Sequence, residues 1–591
     1  MKALILAAGY GGRMSPLTKT IHKTLLKVNG QHIMNRIVDS LVKNDILEII
    51  IVTGYKHKDL VKHLKKNYSK VNFKFINNPR YRETNNIYSL SIAFQKIKFD
   101  KDILLIESDL IFSENVIEKA VKSKYKNLAL VSPYKTGLDG TVVQIDDNKI
   151  TNLFPPHLQS SNFNLFDKYK TLNIYKFSKE FCEKEFKNLL IYYAKSIDDN
   201  CYYELILGIL IYMQREEIYC EIINNNDWTE VDDPNDLTVA EFAFNKNKRI
   251  SILEDTFGGY WNFDIIDFCF IRNMYFPTKS MISEIKNNVS FLLHNYGSKQ
   301  SILNKKLSYV LQYNEDRLIA LNGASQIYPI LSDVLKDSST LIPNPTFGEY
   351  PRVFNITDTY SDTGEFDYSL VESKFENISN IVIVNPNNPT GSIFKTTWIL
   401  EMINKYTDKF FIIDESFIEF SDQPSIIDSL EIEPRNNVIV IRSMSKTYGM
   451  PGVRLGFIYS CNQKLISKIS ANLPIWNLNS ISEFFMEIIL KNKLALENSI
   501  IKTKLDRKIF VNLLNELEIV EKVYKSDANF ILFRVNEKLK QKKLSDFLIK
   551  KYSIYVKDVS DKFNSEYNNY FRVAVRDFKD NSKLINALKN I

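Results

Sequence analysis

Two stretches of this 591-residue sequence combine residue types and spacings that can do chemistry. The first begins at Ala3-Leu4-Ile5-Leu6-Ala7-Ala8, an apolar run that breaks into Gly9-Tyr10-Gly11-Gly12-Arg13-Met14. Glycines in such a turn let backbone N–H groups approach a triphosphate closely, and Arg13 adds a fixed positive charge. The turn lacks the Gly-Lys-Ser/Thr ending of a P-loop, and its glycine spacing differs from the dinucleotide-binding fingerprint. Lys23, in Lys23-Thr24-Leu25-Leu26, supplies a second cation just downstream. Two carboxylate groups follow much later, Glu107-Ser108-Asp109 behind an apolar strand and Glu230-Val231-Asp232-Asp233 behind Trp228. A carboxylate at a strand end can hold Mg²⁺ against phosphate. Arg and Lys neutralise the charge that builds on departing pyrophosphate, so the set suits attack on an α-phosphate.

The second stretch is Ser443-Met444-Ser445-Lys446-Thr447-Tyr448-Gly449, followed by Pro451-Gly452-Val453-Arg454. A lysine in a serine-flanked loop after a buried strand can form a Schiff base with an aldehyde cofactor. Ser443, Ser445 and Arg454 are suited to grip a phosphate beside it. Upstream, Asn322-Gly323-Ala324-Ser325 can open a helix whose N-terminal amides hold that phosphate. Asn388, in Asn385-Pro386-Asn387-Asn388-Pro389, offers an amide to a ring oxygen, and Asp414 can pair with a protonated pyridine nitrogen. Phe347 can stack on the ring.

The elements that must position these residues alternate strand and helix. Leu47–Thr53, Ile103–Ile106 and Leu128–Ser132 read as strands in the first half. Leu318–Leu321, Ile381–Val384, Phe410–Asp414 and Val438–Arg442 read as strands in the second. This pattern predicts two α/β domains of different fold, residues 1–242 and 256–591, with a linker over 243–255 that carries the polar run Asn-Lys-Asn-Lys-Arg.

Composition narrows the function classes. Hydrophobic residues are 45% and charged residues 25%, and the net charge is +7, as in ordinary soluble globular proteins. No basic block is interleaved with aromatics, so no nucleic-acid partner is expected. Five scattered cysteines lack metal-type spacing and suit a reducing compartment. The longest apolar run, Leu205–Met213, is too short for a membrane span, and Met1–Ile5 runs straight into the glycine turn without a leader pattern. A cytoplasmic enzyme without a membrane partner is the expectation.

The first set of motifs closely resembles the nucleotidyltransferase family that includes choline-phosphate cytidylyltransferases and sugar-phosphate nucleotidylyltransferases. That resemblance implies a Rossmann-like fold, with Leu6, Ala8, Gly9, Gly11, Gly12, Arg13 and Lys23 around the nucleotide and Asp109 and Asp232 on Mg²⁺. It implies that Arg13 and Lys23 assist the transfer. Asn85–Leu90, Asp139–Val143, Asn173–Phe177 and Tyr202-Tyr203-Glu204 favour the branch that activates small zwitterions, with CTP as nucleotide. An ammonium-bearing acceptor wants carboxylates and aromatic faces, which Asp139, Glu204, Tyr175, Tyr202 and Tyr203 can supply. His22 stands where the family usually has proline.

The second set resembles the fold-type I aminotransferases, near histidinol-phosphate aminotransferases and threonine-phosphate decarboxylases. The resemblance implies pyridoxal 5'-phosphate on Lys446, held by Ala324, Ser325, Phe347, Asn388, Asp414, Ser443, Ser445 and Arg454, with a seven-stranded sheet and a smaller C-terminal subdomain. It implies a homodimer through the C-terminal domain, with Tyr296 reaching the neighbour's cofactor, and Arg572 and Arg576 on the substrate's acidic groups. Phe417 replaces a tyrosine common in aminotransferases and also occurs in decarboxylating relatives, so both reactions stay open. The whole chain resembles the fused cytidylyltransferase–transaminases of 2-aminoethylphosphonate synthesis. Their small amino-phosphonate and an amino-acid donor are the implied substrates; phosphoserine decarboxylation feeding CDP-ethanolamine is the alternative, and one domain serving only as a scaffold is a third.

Overall fold

A computed structural model describes residues 1–135, 137–160, 163–336, 338–536, 542–563, 565 and 569–591. The chain forms two compact units, Met1–Asp264 and Ile265–Ile591. The boundary lies beyond the expected linker. The polar run at 245–248 looks like a spacer, but it joins the helices Pro234–Phe244 and Arg249–Thr256, both within the first unit. Arg249 donates back to the carbonyl of Phe242 at 3.0 Å, and Leu253 is fully buried, which anchors the segment.

The first unit is built on a nine-stranded mixed sheet. Its order is Asn72–Asn77, Glu48–Thr53, Lys2–Ala7, Ile103–Glu107, Tyr169–Phe177, Leu128–Pro133, Tyr219–Ile222, Lys149–Phe154, Val142–Asp146. The first four strands are mutually parallel. In Lys2–Ala7, Leu4 and Leu6 join one core cluster while Ala3, Ile5 and Ala7 join another. That near-continuous apolar run is what a strand covered by helices on both faces requires. Asn86–Lys96 covers one face, and Ile33–Lys43 with His57–Asn67 the other. From Lys2–Ala7 the chain proceeds to one side of the sheet and later returns to Ile103–Glu107 on the other. This switch point opens a crevice beyond the carboxyl ends of the two strands, where α/β folds bind ligands.

The second unit carries a seven-stranded sheet in the order Leu318–Asn322, Leu455–Tyr459, Val438–Ser443, Phe410–Asp414, Asn380–Val384, Thr340–Asn344, Ile356–Ser361. Leu455–Tyr459 is antiparallel to both neighbours, and the remaining pairs are parallel. A four-stranded antiparallel sheet follows, Val520–Val523, Phe530–Val535, Tyr570–Ala574 and Lys557–Asp558, with the 23-residue helix Lys493–Asn515 ahead of it. No helix among the described residues is long and apolar enough to cross a membrane.

Candidate active sites

The switch-point crevice of the first unit is a cleft of about 660 Å³. Leu6, Ala8, Gly9, Gly11, Gly12, Arg13, Lys23, Asp109, Asp139, Glu204 and Asp232 all line it. The two distant carboxylates meet because Trp228–Glu230 pairs antiparallel with Leu110–Phe112, and Val231 N–H donates to the Asp109 carbonyl at 2.9 Å. Asp233 and Asp236 then form a capping box on the helix Pro234–Phe244. Asp236 also accepts from the backbone N–H of Asp232 at 2.8 Å, fixing that residue.

The Lys23 ammonium sits between the carboxylates, 3.0 Å from Asp109 Oδ2 and 2.8 Å from Asp232 Oδ1. Burial alone would lower its pKa, but the two carboxylates outweigh burial and hold it above the ordinary lysine range. Arg13 reaches Asp232 at 2.9 Å. Glu230 joins the cluster: one carboxylate oxygen each of Asp109, Glu230 and Asp232 lie within 4.8 Å of one another. Asp109 Oδ1 is buried without a partner among the described residues. An orphaned carboxylate oxygen beside two further carboxylates is a donor set that fits a hard divalent cation such as Mg²⁺.

Acids outnumber bases in this cleft. Glu107, Asp109, Asp139, Glu204, Glu230 and Asp232 face Arg13, Lys23 and Lys170. Burial, then the proximity of Asp109, pushes the Glu107 carboxyl well above its usual range. Burial raises Glu204 and Glu230 to about 7 each. Glu204 is 3% exposed and its Oε2 has no partner among the described residues. Lys170, 1% exposed, lies 3.5 Å from Glu230. Lys170 escaped the sequence reading because a lysine within a Tyr-Lys strand carries no motif.

Two expected acceptor residues are displaced from this role. Tyr175 and Tyr203 are 1% and 0% exposed, pack edge-to-face at 5.9 Å and belong to the apolar core. Neither lines the cleft, because strand and helix periodicity turn both rings into the layer beneath it. Tyr202, 42% exposed, is the aromatic residue of the trio on the cleft wall.

In the second unit, Lys446 lies in the short helix Met444–Thr447 directly after Val438–Ser443. A buried ionic network pins that turn. Arg442 donates to Glu415 at 2.7 Å and Glu419 at 3.2 Å, and Glu419 accepts from Thr447 Oγ1 at 2.9 Å. Burial, and then the cations Arg572 and Arg454, lower the Lys446 pKa to about 8. About a tenth of the lysine is therefore neutral at pH 7 and available for attack on a carbonyl.

Asp414 ends its strand 3% exposed and accepts from Tyr350 Oη at 2.8 Å and Tyr328 Oη at 3.1 Å. These tyrosines were not foreseen; they fix the carboxylate's orientation, and the Tyr328 ring also approaches Phe347 at 6.1 Å. Arg454 Nη2 donates to Ser325 Oγ at 3.0 Å. Gly323, with φ +73, lies under that guanidinium, and a Cβ there would fall 2.4 Å from Arg454 Nη2. Only glycine fits this position. Ser445 Oγ is buried with no partner among the described residues. A hydroxyl lacking an acceptor, an arginine and a glycine-lined helix start fit the phosphate of pyridoxal phosphate, and Asp414 fits its ring nitrogen.

Asn388 Oδ1 accepts from Arg572 Nη1 at 2.8 Å, and Arg572 Nη2 reaches the Cys269 carbonyl at 2.6 Å. Arg576, expected beside it on substrate, is engaged elsewhere. It pairs with Asp580 at 2.9 Å and donates to the Asp267 carbonyl at 2.9 Å, because it follows the strand end and ties the final helix down. Phe417, 4% exposed, packs edge-to-face on Phe530 at 5.1 Å. Tyr296 is 78% exposed and stacks on Trp476 at 4.3 Å.

Comparison with known proteins places each half of the chain. The family model "Aminotransferase class I and II" matches residues 290–588, and "Nucleotidyl transferase" matches residues 2–153. The chain belongs to the class I and II aminotransferases, with a nucleotidyltransferase domain at its N-terminal side. It is 26% identical to CMP-5'-(3-aminopropyl)phosphonate synthase of Streptomyces rubellomurinus, over 100% of this chain and 95% of that protein. It is 26% identical to the L-serine phosphate decarboxylase of Sulfurospirillum multivorans, over 55% of this chain and 88% of that protein. The solved structure of a decarboxylase from Sulfurospirillum multivorans covers 58% of this chain and 91% of its own, with TM-score 0.51 and 25% identity.

Proposed function

We propose that the C-terminal unit makes 2-aminoethylphosphonate by pyridoxal-phosphate-dependent transfer of an amino group from an amino-acid donor. The N-terminal unit then transfers CMP from CTP to that phosphonate, with Mg²⁺, releasing pyrophosphate. The observation that carries the proposal is the acid-rich cleft with a Glu204 carboxylate oxygen that has no partner among the described residues. A polyphosphate and a phosphonate enter such a cleft only with positive charge, and the acceptor's own ammonium supplies part of it. A whole-length relative whose name is a CMP-aminoalkylphosphonate synthase supports the same reading.

In this mechanism Arg13 and Lys23 leave their carboxylates for the triphosphate and neutralise charge on the departing pyrophosphate. Asp109, Glu230 and Asp232 are the metal ligands. Magnesium, when bound there, would supply positive charge that offsets the repulsion between the phosphonate and the triphosphate. Glu204 orients the acceptor through its ammonium. In the second unit Lys446 is the attachment point and moves the proton, and Asp414 keeps the ring nitrogen protonated. Pyridoxal phosphate, when bound, supplies the electron-withdrawing ring. The exposed Phe291, Leu293, Tyr296, Ile475 and Trp476 support a homodimer through this unit.

Phosphorus NMR of the protein with CTP, Mg²⁺ and 2-aminoethylphosphonate tests the proposal. A phosphonate signal coupled to the CMP phosphorus is the expected result; turnover of phosphoethanolamine alone refutes it. The latter outcome would favour phosphoserine decarboxylation in the second unit, for which Phe417 and the decarboxylase relative speak.

The acceptor's ammonium requires Glu204 ionised. With a free-enzyme pKa of about 7, kcat/KM for the acceptor should fall on the acid side, about tenfold per unit below pH 7. Glu204→Gln should flatten that limb and lower kcat/KM at pH 8. An unchanged acid limb in the variant would remove Glu204 from acceptor binding.

A further inference from the structure

The second unit buries a carboxylate that the mechanism above leaves unused. Asp362 follows the strand Ile356–Ser361 and is 1% exposed. Asn387 Nδ2 donates to its Oδ2 at 2.7 Å, Ser392 Oγ donates to its Oδ1 at 2.6 Å, and the Gly364 N–H reaches Oδ1 at 3.3 Å. These partners are all neutral, and no cation lies within ion-pair distance of Asp362 among the described residues. Its own N–H donates to the Asn344 carbonyl at 3.0 Å, at the end of Thr340–Asn344. Asp362 therefore sits between two loops, 344–347 and 385–392, at the carboxyl ends of Thr340–Asn344 and Asn380–Val384.

Asn387, fully buried, relays the carboxylate to the other loop. Its Nδ2 also donates to the Pro345 carbonyl at 2.8 Å, and its Oδ1 accepts from Thr346 Oγ1 at 3.1 Å. A carboxylate and a carbonyl only accept, so both must face the NH₂ group, and the amide oxygen is left to Thr346. Thr346 precedes Phe347 and Asn387 precedes Asn388, the two residues expected on the cofactor's ring face and ring oxygen. The far end of the second loop is tied to the same carboxylate, because Asn387 N–H donates to the Ser392 carbonyl at 2.9 Å. Burial raises the Asp362 pKa to about 6, and the bonds from Ser392 and Asn387 oppose that rise, so the group is mostly ionised at pH 7. Each carboxylate oxygen faces an N–H donor. An asparagine at 362 would have to set its NH₂ against Asn387 Nδ2 or against the Gly364 N–H.

We propose that Asp362 is the positioning residue of the cofactor ring, its carboxylate locking together, through Asn387, the loops that carry Phe347 and Asn388. The inference rests on the reading of this unit as a pyridoxal-phosphate enzyme with those two residues on the ring. It names the buried group that keeps both in register.

The test uses the full chain and follows the cofactor absorbance, and the circular dichroism of the same band, as pyridoxal phosphate is added. The wild type should give a saturable band. Asp362→Asn should weaken cofactor affinity at least tenfold and lower the dichroism of the bound ring, with the far-ultraviolet spectrum unchanged. Thr346→Val cuts the other end of the relay and should reproduce the loss of dichroism. The double variant should be no worse than D362N, because both substitutions act through Asn387. The proposal is overturned if D362N binds and orients the cofactor as the wild type does, or if the two effects add in full. Should D362N fail to fold, T346V decides alone, and a wild-type band there overturns the proposal. A wild type that gives no band sinks the pyridoxal-phosphate reading itself, whereas a wild-type band unchanged in D362N sinks only the role of Asp362.

Discussion

Lys446→Ala should abolish the visible absorbance of the cofactor-loaded protein and lower amino-group chemistry by on the order of 10³-fold or more. On the proposed function Lys446 would be both the attachment point and the group that shuttles the proton. Lys562, the other lysine of depressed pKa in this unit, is tied to the Thr346 carbonyl. The low Lys446 pKa has a definite origin, burial reinforced by Arg572 and Arg454, so the neutral amine is present at neutral pH before any ligand arrives. CMP transfer should survive the substitution, because Lys446 and the nucleotide cleft belong to different compact units. Spectrophotometry and phosphorus NMR on one preparation read both activities. A K446A protein that keeps the absorbance band would place the cofactor elsewhere.

Asp109→Asn should act in the opposite sense, lowering CMP transfer by about 10³-fold while leaving the cofactor spectrum intact. The substitution removes a formal charge from a three-carboxylate cluster and leaves Asp232 paired with Lys23 and Arg13. Mn²⁺ binding, followed by loss of the free-ion EPR signal in the presence of CTP, should weaken in parallel. Normal transfer by D109N would dissolve the assignment of this cluster to the metal. Full metal binding with lost transfer would instead make Asp109 a positioning group for the acceptor.

The sequence disclosed the parts of each site that lie on one short stretch. Gly9–Arg13 and Ser443–Lys446 are contiguous, and their glycines, serines and cations have few other uses at strand ends. Asp109 was legible because it follows the apolar run Ile103–Ile106, and Asp232 because it falls in the acidic group Glu230-Val231-Asp232-Asp233. Their meeting is a property of the Leu110–Phe112 and Trp228–Glu230 pairing, which no local pattern encodes. Lys170 stayed hidden for the same reason, and the sequence showed Glu230 beside Asp232 without showing that it joins the cluster. Tyr328 and Tyr350 were invisible because a tyrosine's hydrogen-bond partner depends on how helices pack over the sheet, here toward Asp414. Tyr175, Tyr203 and Arg576 erred in the other direction. Each sits beside a functional residue in sequence, yet the alternation of faces and the helix-anchoring Asp580 carry it away in space.

The lysine held between Asp109 and Asp232 gives the nucleotidyl-transfer unit an internal counter-ion. A site that crowds carboxylates together for a metal normally repels itself when the metal leaves, and such domains then depend on the ion to stay folded. Here the ammonium takes up that repulsion between turnovers. A metal held there, as proposed, would come and go with each nucleotide as a visitor, while the Lys23 pairing keeps the architecture around it in place without its help.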